Sequence, residues 1–143
     1  MEKHFYEVYL KWEEGRKGII SSPDIPLKFE VATPPEFEKG IPGIWSPEHL
    51  FTAAVVSCFM TTFLAISEFS NLKYEQFDCN AEGILEKVDG KFMISEIDLY
   101  VNLKVTDIEK KDKAERILQK SKTACLISNS IKTKVNLKTY IYN

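Results

Sequence analysis

The stretch from Ser46 to Phe69 constrains the fold most, because it is the longest apolar run and its apolar residues recur at helical spacing. The residues on that period are Phe51, Val55, Phe59, Phe63 and Ile66. Ser46 stands at the N-cap position and Pro47 at the first helical position, where a missing N–H costs nothing. Small residues fill much of the remaining surface. The helix is therefore apolar on nearly every side, and we expect nearly every side to be buried.

Length and charge set the class of protein. A chain of 143 residues favours one domain, residues 1–143, with a core of its own. A net charge of −2, with acidic and basic residues mixed along the chain, argues against a nucleic-acid or membrane partner. The N-terminus shows no apolar signal segment. The apolar run is long enough to cross a membrane, but its polar and small residues favour a soluble core helix. We expect a cytoplasmic protein.

Alternation of apolar and polar residues predicts strands on both sides of this helix. The predicted strands cover residues 5–12, 16–21, 27–31, 73–88, a return strand ending near Val105, and 134–142. Asp89-Gly90 predicts a two-residue hairpin turn. A second, more polar helix is predicted over residues 107–122, with an inner stripe formed by Ile108, Ala114, Ile117, Leu118 and Ser121. The order indicates an α+β fold, with antiparallel sheets around the long helix.

The chemistry of the chain rests on cysteine. Three cysteines, an odd number without a secretory signal, indicate a reducing compartment and thiol chemistry. Cys58 lies in the apolar helix and Cys125 in a distant short apolar segment, TACLISNSI. With only His4 and His49 available, neither a zinc site nor a Cys–His nucleophile is supported. If the fold brings both cysteines together, one thiolate can reduce a peroxide to give a sulfenic acid, and the other thiol can resolve it to a disulfide.

A structural interpretation of the cysteines stays open on the pattern alone. A cysteine on an apolar face is usually a small buried hydrophobe. This applies to Cys58 and Cys125, and most strongly to Cys79, which lies within a predicted strand.

Three segments, taken in chain order, match known motifs. Residues 12–18 are WEEGRKG, residues 46–59 are SPEHLFTAAVVSCF, and residues 124–130 are ACLISNS. They resemble the Gly-Arg-x-Gly hairpin, the central-helix motif with Cys-Phe after Pro-Glu, and the Cys-Pro-x-Ser-Asn motif of the OsmC/Ohr family of hydroperoxide reductases. Leu126 is the visible departure, because many members have proline after the second cysteine. This departure bears on substrate and reductant more than on fold.

The resemblance implies an α+β fold, an intertwined homodimer and thiol-dependent reduction of organic hydroperoxides. It implies a peroxidatic Cys58 and a resolving Cys125 that form an intrachain disulfide, with Arg16 and Glu48 as polar support. A guanidinium stays charged when partly buried and can stabilise a thiolate, and Glu48 would hold Arg16 in place. No metal or other cofactor is expected, since the chain has no GxGxxG or P-loop. Electrons would come from an external dithiol, either a small thiol or a lipoylated or thioredoxin-like protein.

Helix geometry adds two expectations. Glu48 precedes Cys58 by ten residues, about 15 Å along a straight helix. A Glu48 that reaches the site of Cys58 would come from a second chain unless Arg16 spans the gap, which favours a homodimer with shared sites. A short helix beginning near Thr123 would place N–H groups on Cys125 and stabilise a thiolate there.

Aromatic residues suggest the substrate class. Phe51, Phe59 and Phe63, with Trp45 and Phe37 in the preceding loop, would form an apolar pocket mouth and favour alkyl or lipid hydroperoxides. Packing in the core is the alternative for such a stripe. Two other function classes stay open: a module that binds a small apolar ligand without peroxidase turnover, and a structural dimer without chemistry.

Overall fold

A computed structural model describes all 143 residues, Met1–Asn143. The elements in chain order are β1 Tyr9–Glu14, β2 Lys17–Ser22, β3 Ile25–Ala32, α1 Pro47–Phe69, β4 Tyr74–Val88, β5 Lys91–Val105, α2 Lys111–Ala124 and β6 Lys134–Tyr142. Short 3-10 turns stand on either side of α2, at Ile108–Lys110 and Ser128–Ser130. The chain forms two compact units, Met1–Leu50 and Phe51–Asn143. That residues 1–143 form a single domain remains a prediction, because a division into compact units does not test it.

The first unit is an antiparallel meander in which β2 lies between β1 and β3. The β1–β2 turn contains Gly15 with a φ of 49°, a left-handed conformation that glycine adopts without strain. The Lys17 ammonium joins the strands, because its Nζ lies 3.1 Å from Glu13, 3.7 Å from Glu14 and 2.8 Å from Glu30. Every residue of β1 is exposed, so no other part of the same chain packs over this strand.

The second unit holds a three-stranded sheet with the order β4-β5-β6. Asp89 and Gly90 join β4 to β5 with φ values of 50° and 79°, as a tight hairpin turn requires. The α+β class is confirmed, but one pairing departs from the antiparallel arrangement that we expected: β6 runs parallel to β5. The physical reason is α2, which connects the two strands as a crossover and lets both run in the same direction.

One continuous core stabilises the second unit. Alternate residues of β5 form its centre, and all of them are buried as the alternation predicted: Ile97, Leu99, Val101, Leu103 and Val105. The inner stripe of α2 contributes Ala114, Ile117 and Leu118, and α1 contributes Val55, Phe59 and Phe63. Ile108 is 41% exposed, contrary to the prediction, because it lies in the 3-10 turn before α2 begins.

The long helix α1 is buried along one stripe only. Of its 23 residues, Val55, Phe59, Phe63 and Ser67 are buried. The expectation of burial on nearly every side is therefore wrong for a single chain, because the sheet covers one side of the helix. By length and composition α1 could cross a membrane, but its buried stripe belongs to the core of the second unit. Its other side remains partly apolar and exposed, with Met60, Leu64 and Phe69 on the surface.

Close approach of β4 to α1 gives a first prediction. A Cβ at Gly83 would meet the Thr52 hydroxyl at less than a normal contact distance. We expect Gly83→Ala to lower the free energy of unfolding by about 1 kcal/mol, because the added methyl group and the Thr52 side chain must move apart where β4 approaches α1. Urea denaturation measures this loss. Adding Thr52→Ala should restore part of it, because the remaining Cβ contact at 3.6 Å is an ordinary one. A double-mutant cycle without coupling would contradict this account.

Candidate active site

Cys58 lies midway along α1, beside the buried stripe. Its neighbour Phe59 points into the core, and Cys58 itself is half-buried. One turn further on, the Thr62 hydroxyl lies 4.0 Å from the Cys58 sulfur. The helix thus presents the thiol at the margin of the core, where it is partly desolvated and still reachable.

Cys125 meets Cys58 at the end of α2. The helix ends at Ala124, and Cys125 follows as its C-cap in an extended conformation with φ −63° and ψ 113°. The Cys125 side chain is fully buried, and its thiol lies close enough to Cys58 to help lower the pKa of Cys58. Both cysteines are free thiols. The fold therefore brings together two residues that are far apart in the sequence.

The chain after α2 differs from the sequence-based expectation. A short helix beginning near Thr123 was expected to place N–H groups on Cys125, but α2 continues through Thr123. The segment that follows Cys125 approaches Cys58 instead, and the backbone N–H groups of Ile127 and Leu126 help to lower the pKa of Cys58. The cause is the extended backbone at Cys125, which ends the helical hydrogen-bond ladder before these two residues.

Two opposing effects set the pKa of Cys58. Burial raises it, because a thiolate loses water when it is desolvated. Hydrogen bonds lower it, in decreasing order from the Ile127 N–H, the Cys125 thiol, the Thr62 hydroxyl and the Leu126 N–H. The hydrogen bonds prevail, and the pKa of Cys58 lies below its usual value. Neutral donors thus lower the pKa of Cys58, and a contribution of the Arg16 guanidinium stays a prediction.

Cys79 lies in the opposite situation, half-buried on β4. Burial raises its pKa to about 11, and a hydrogen bond from the Tyr100 N–H offsets only part of this rise. Its thiol lies 3.8 Å from the Asn80 carbonyl oxygen. Cys79 is therefore a protonated thiol at neutral pH, which agrees with its interpretation as an unreactive residue.

The two predicted polar residues lie in the first unit. Arg16 occupies the β1–β2 turn and is exposed, while the ion pairs of this hairpin belong to its neighbour Lys17. Glu48 lies half-buried in the first turn of α1. The structure thus brings Cys58 and Cys125 together within the second unit, and the joining of Arg16 and Glu48 to them stays a prediction.

A cavity of about 260 Å³ lies beside Arg16 in the first unit. Its walls also include Leu10, Trp12, Val31 and Pro47, so most of its lining is apolar. The sequence had placed an apolar pocket elsewhere, at Phe59 and Phe63.

Those phenylalanines belong to the core. Phe59 is 1% exposed and Phe63 is fully buried, and both stack on Phe77 with ring centroids 6.3 and 4.6 Å apart. Phe59 and Phe63 therefore do not form the predicted pocket mouth, and the alternative of core packing is confirmed for these two residues. The reason is that this side of α1 is the one that faces the sheet.

The start of α1 is fixed by a reciprocal cap. The Ser46 hydroxyl accepts the His49 N–H at 3.2 Å, which confirms Ser46 as the N-cap. In return, Nδ1 of His49 accepts the Ser46 N–H at 3.3 Å. Histidine takes the place that Glu or Gln holds in a capping box. Sequence analysis missed His49, although its position three residues after the cap was the available signal.

Other contributors to the site differ in how visible they are in the sequence. Thr62 follows Cys58 by four residues, a spacing that puts both on one face of a helix, so the sequence held a signal for it. The sequence held no signal for the backbone N–H groups of Leu126 and Ile127, because every residue except proline carries an N–H. No group of three or more His, Cys, Asp or Glu side chains is placed to hold a metal ion.

Comparisons with known proteins show the family. A family model described as OsmC-like protein matches residues 40–139, and the chain therefore belongs to the OsmC-like family. This confirms the resemblance seen in the motifs. The chain is 23% identical over 140 residues to the uncharacterized protein YmaD of Bacillus subtilis, covering 96% of this chain and 93% of YmaD.

Solved structures share the fold along almost the whole chain. An OsmC-like protein of unknown function from Vibrio cholerae matches with a TM-score of 0.85 and 22% identity, over 96% of this chain and 100% of that one. The organic hydroperoxide resistance protein OhrB of Bacillus subtilis matches with a TM-score of 0.72 and 25% identity, over 96% and 98%. Both extend the similarity beyond the residues that the family model matches.

The pKa directions predict an order of thiol reactivity. At pH 7 in the reduced protein, iodoacetamide should alkylate Cys58 much faster than Cys79, because only a thiolate is alkylated and Cys79 ionises near pH 11. The Cys58 rate should fall as the pH drops through its lowered pKa. Peptide mass spectrometry measures both rates, with Cys58→Ser as the assignment control. Equal rates at Cys58 and Cys79 would contradict the prediction.

Proposed function

We propose that this protein is a thiol-dependent peroxidase that reduces organic hydroperoxides through Cys58 and Cys125. One observation carries the proposal: the buried Cys125 thiol lies near Cys58 and helps to lower the pKa of the Cys58 thiol. A reactive thiolate with a second thiol in contact is the arrangement that two-cysteine peroxide reduction needs. The similarity to OhrB of Bacillus subtilis, an organic hydroperoxide resistance protein, supports this chemistry.

The first half of the reaction consumes the hydroperoxide. The Cys58 thiolate attacks the terminal oxygen of the hydroperoxide, a sulfur–oxygen bond forms and the oxygen–oxygen bond breaks. The alkoxide that leaves takes a proton and departs as the alcohol, while Cys58 becomes a sulfenic acid. Cys125 then attacks the Cys58 sulfur, water leaves, and an intrachain disulfide forms. The two electrons come from the two thiols.

The second half needs an external dithiol, either a small thiol or a lipoylated or thioredoxin-like protein. Cys58 is half-buried and Cys125 fully buried, so the incoming thiolate attacks the sulfur of Cys58 and Cys125 leaves. The reductant's second thiol then releases Cys58. Such a cycle runs in a reducing compartment, and we infer a cytoplasmic location for a chain with three free thiols.

The surroundings of Arg16 support an organic substrate. The cavity beside it is lined mostly by apolar side chains. A guanidinium next to such a cavity suits a molecule with a polar end and an alkyl chain, and hydrogen peroxide has no chain to bury. Within this proposal Arg16 and Glu48 act as polar support of the reacting thiolate.

Exposed apolar surface supports a homodimer. In the first unit, Leu10 is 69%, Trp12 72% and Leu27 74% exposed. A small sheet with uncovered large apolar residues is unlike the surface of a stable monomer, and a second copy of the chain is the simplest cover. The exposed apolar side of α1, with Met60 and Leu64, points to the same arrangement.

Thiol titration tests the proposed reaction. One equivalent of cumene hydroperoxide should remove two of the three thiols of each chain, and the same dose of hydrogen peroxide should remove them more slowly. The loss should vanish in Cys58→Ser, because the nucleophile is gone. Cys79→Ser is the matched control and should lose the same two thiols as the native chain.

The absence of thiol loss would contradict the proposal. If three thiols still react after long incubation with the organic hydroperoxide, the peroxidase proposal fails. Copurified lipid in that protein would then favour a module that binds a small apolar ligand.

Sedimentation velocity tests the homodimer. We expect the native chain to sediment as a dimer at micromolar concentration, and Leu10→Glu to shift it toward monomer, since a charge would be buried in the interface. Lys11→Glu is the control, because its side chain lies on the other face of β1. A native monomer, or equal effects of both substitutions, would contradict the prediction.

A further inference from the structure

We infer that Trp12 is a positioning residue for Arg16: its indole N–H fixes the β1–β2 turn, and with it the direction in which the Arg16 side chain leaves the backbone. The inference rests on the proposed function for what Arg16 does in the reaction. The positioning itself can be measured without peroxide.

The β1–β2 turn consists of two residues. β1 ends at Glu14 and β2 begins at Lys17, so Gly15 and Arg16 alone connect the paired strands. In a β-turn the backbone hydrogen bond joins the first and fourth residues, and the peptide between the two central residues has no partner in the strand ladder. The orientation of the Gly15–Arg16 peptide is therefore set by other contacts.

The Trp12 side chain supplies such a contact. Its indole N–H donates to the Gly15 carbonyl at 3.0 Å. The pairing of β1 with β2 is irregular between Trp12 and Glu14, and a bulge of this kind redirects the side chains next to it. This agrees with an indole that reaches forward along its own chain to the turn.

Both peptides on either side of the Arg16 Cα are held. The peptide before it has its carbonyl oxygen bonded to the Trp12 indole, and the peptide after it has its carbonyl oxygen bonded to the Thr33 N–H at 3.2 Å. Because a peptide unit is planar, fixing these two planes fixes φ and ψ of Arg16. The direction of its Cα–Cβ bond follows from these two angles.

The nearby carboxylates do not neutralise Arg16. The ion pairs of the hairpin join three glutamates to Lys17, and none of them includes Arg16. Arg16 and Trp12 both line the cavity of about 260 Å³ in the first unit. The turn therefore holds an arginine at the wall of this cavity with its charge still available.

Apolar contact is the alternative role for Trp12. Its side chain is 72% exposed, so a second copy of the chain that covers β1 would bury it. Trp12→Phe separates the two roles, because phenylalanine keeps a large apolar ring and has no N–H to donate. The matched control is Trp45→Phe. Trp45 is the other tryptophan, is also exposed, and contacts His49 through its ring.

The first measurement is the order parameter of the Arg16 backbone N–H, obtained from ¹⁵N relaxation of the reduced protein. This N–H belongs to the peptide that Trp12 holds. We expect Trp12→Phe to lower the order parameter from about 0.85, the value of a rigid backbone, to below about 0.6. Trp45→Phe should keep the native value. An unchanged value in Trp12→Phe, or an equal loss in Trp45→Phe, would overturn the inference.

The second measurement asks whether Trp12 acts through Arg16. Trp12→Phe should lower kcat/KM for cumene hydroperoxide about fivefold, the effect of one hydrogen bond, and Arg16→Met should lower it further. The double variant should be no slower than Arg16→Met, because no guanidinium is left to position. Independent effects of the two substitutions would overturn the inference. The control is Arg116→Met at the only other arginine, which should leave the effect of Trp12→Phe unchanged.

A third measurement uses the native protein and covers the case in which Trp12→Phe does not fold. A scalar coupling across the hydrogen bond should join Nε1 of Trp12 to the carbonyl carbon of Gly15. Its absence, in a spectrum that shows such couplings within the β1–β2 ladder, would overturn the inference. The order parameter and this coupling need no peroxide. A protein without turnover would therefore contradict the proposed function, while these two measurements still decide the inference.

Discussion

A half-buried thiolate persists only where hydrogen-bond donors replace the water that it has lost. In this protein the groups that lower the pKa of Cys58 are the Thr62 hydroxyl of α1 and, where the chain leaves α2 at Cys125, the Cys125 thiol and the N–H groups of Ile127 and Leu126. The packing of the second unit holds Cys58 and Cys125 near each other. The core face of β5 packs against α1 and α2, and the buried stripe of α1 fixes the rotation of that helix, which decides where Cys58 points.

The crossover that places Cys125 also sets the topology of the sheet. Because α2 connects β5 to β6, the last strand runs parallel to β5. The buried faces of α2 and β5 then hold the end of α2 next to α1. The fold thus uses the same connection to complete the sheet and to bring the second thiol to the first. Because the crossover brings the two cysteines together, the site forms although Cys58 and Cys125 are far apart in the sequence.

Sequence patterns predicted what is decided locally. The Ser46 cap, the Asp89-Gly90 turn and the alternation of β5 each depend on neighbouring residues, and the structure has them where they were expected. Features that depend on the path of the chain were not visible. Apolar character showed that α1 was a core helix but not which side faced the sheet, so Phe59 was assigned to a pocket. A sequence does not show which backbone N–H groups will lie near a thiol, so the contribution of Ile127 and Leu126 to the lowered pKa of Cys58 was not predicted.

The central claim is that Cys58 and Cys125 form one redox pair, and mapping the disulfide tests it most directly. Native protein treated with one equivalent of organic hydroperoxide, alkylated and digested without reduction, should yield a single cross-linked species in which the Cys58 and Cys125 peptides of one chain are joined and Cys79 is alkylated. A cross-link through Cys79, or Cys58 recovered as a sulfinic acid with Cys125 free, would contradict the account.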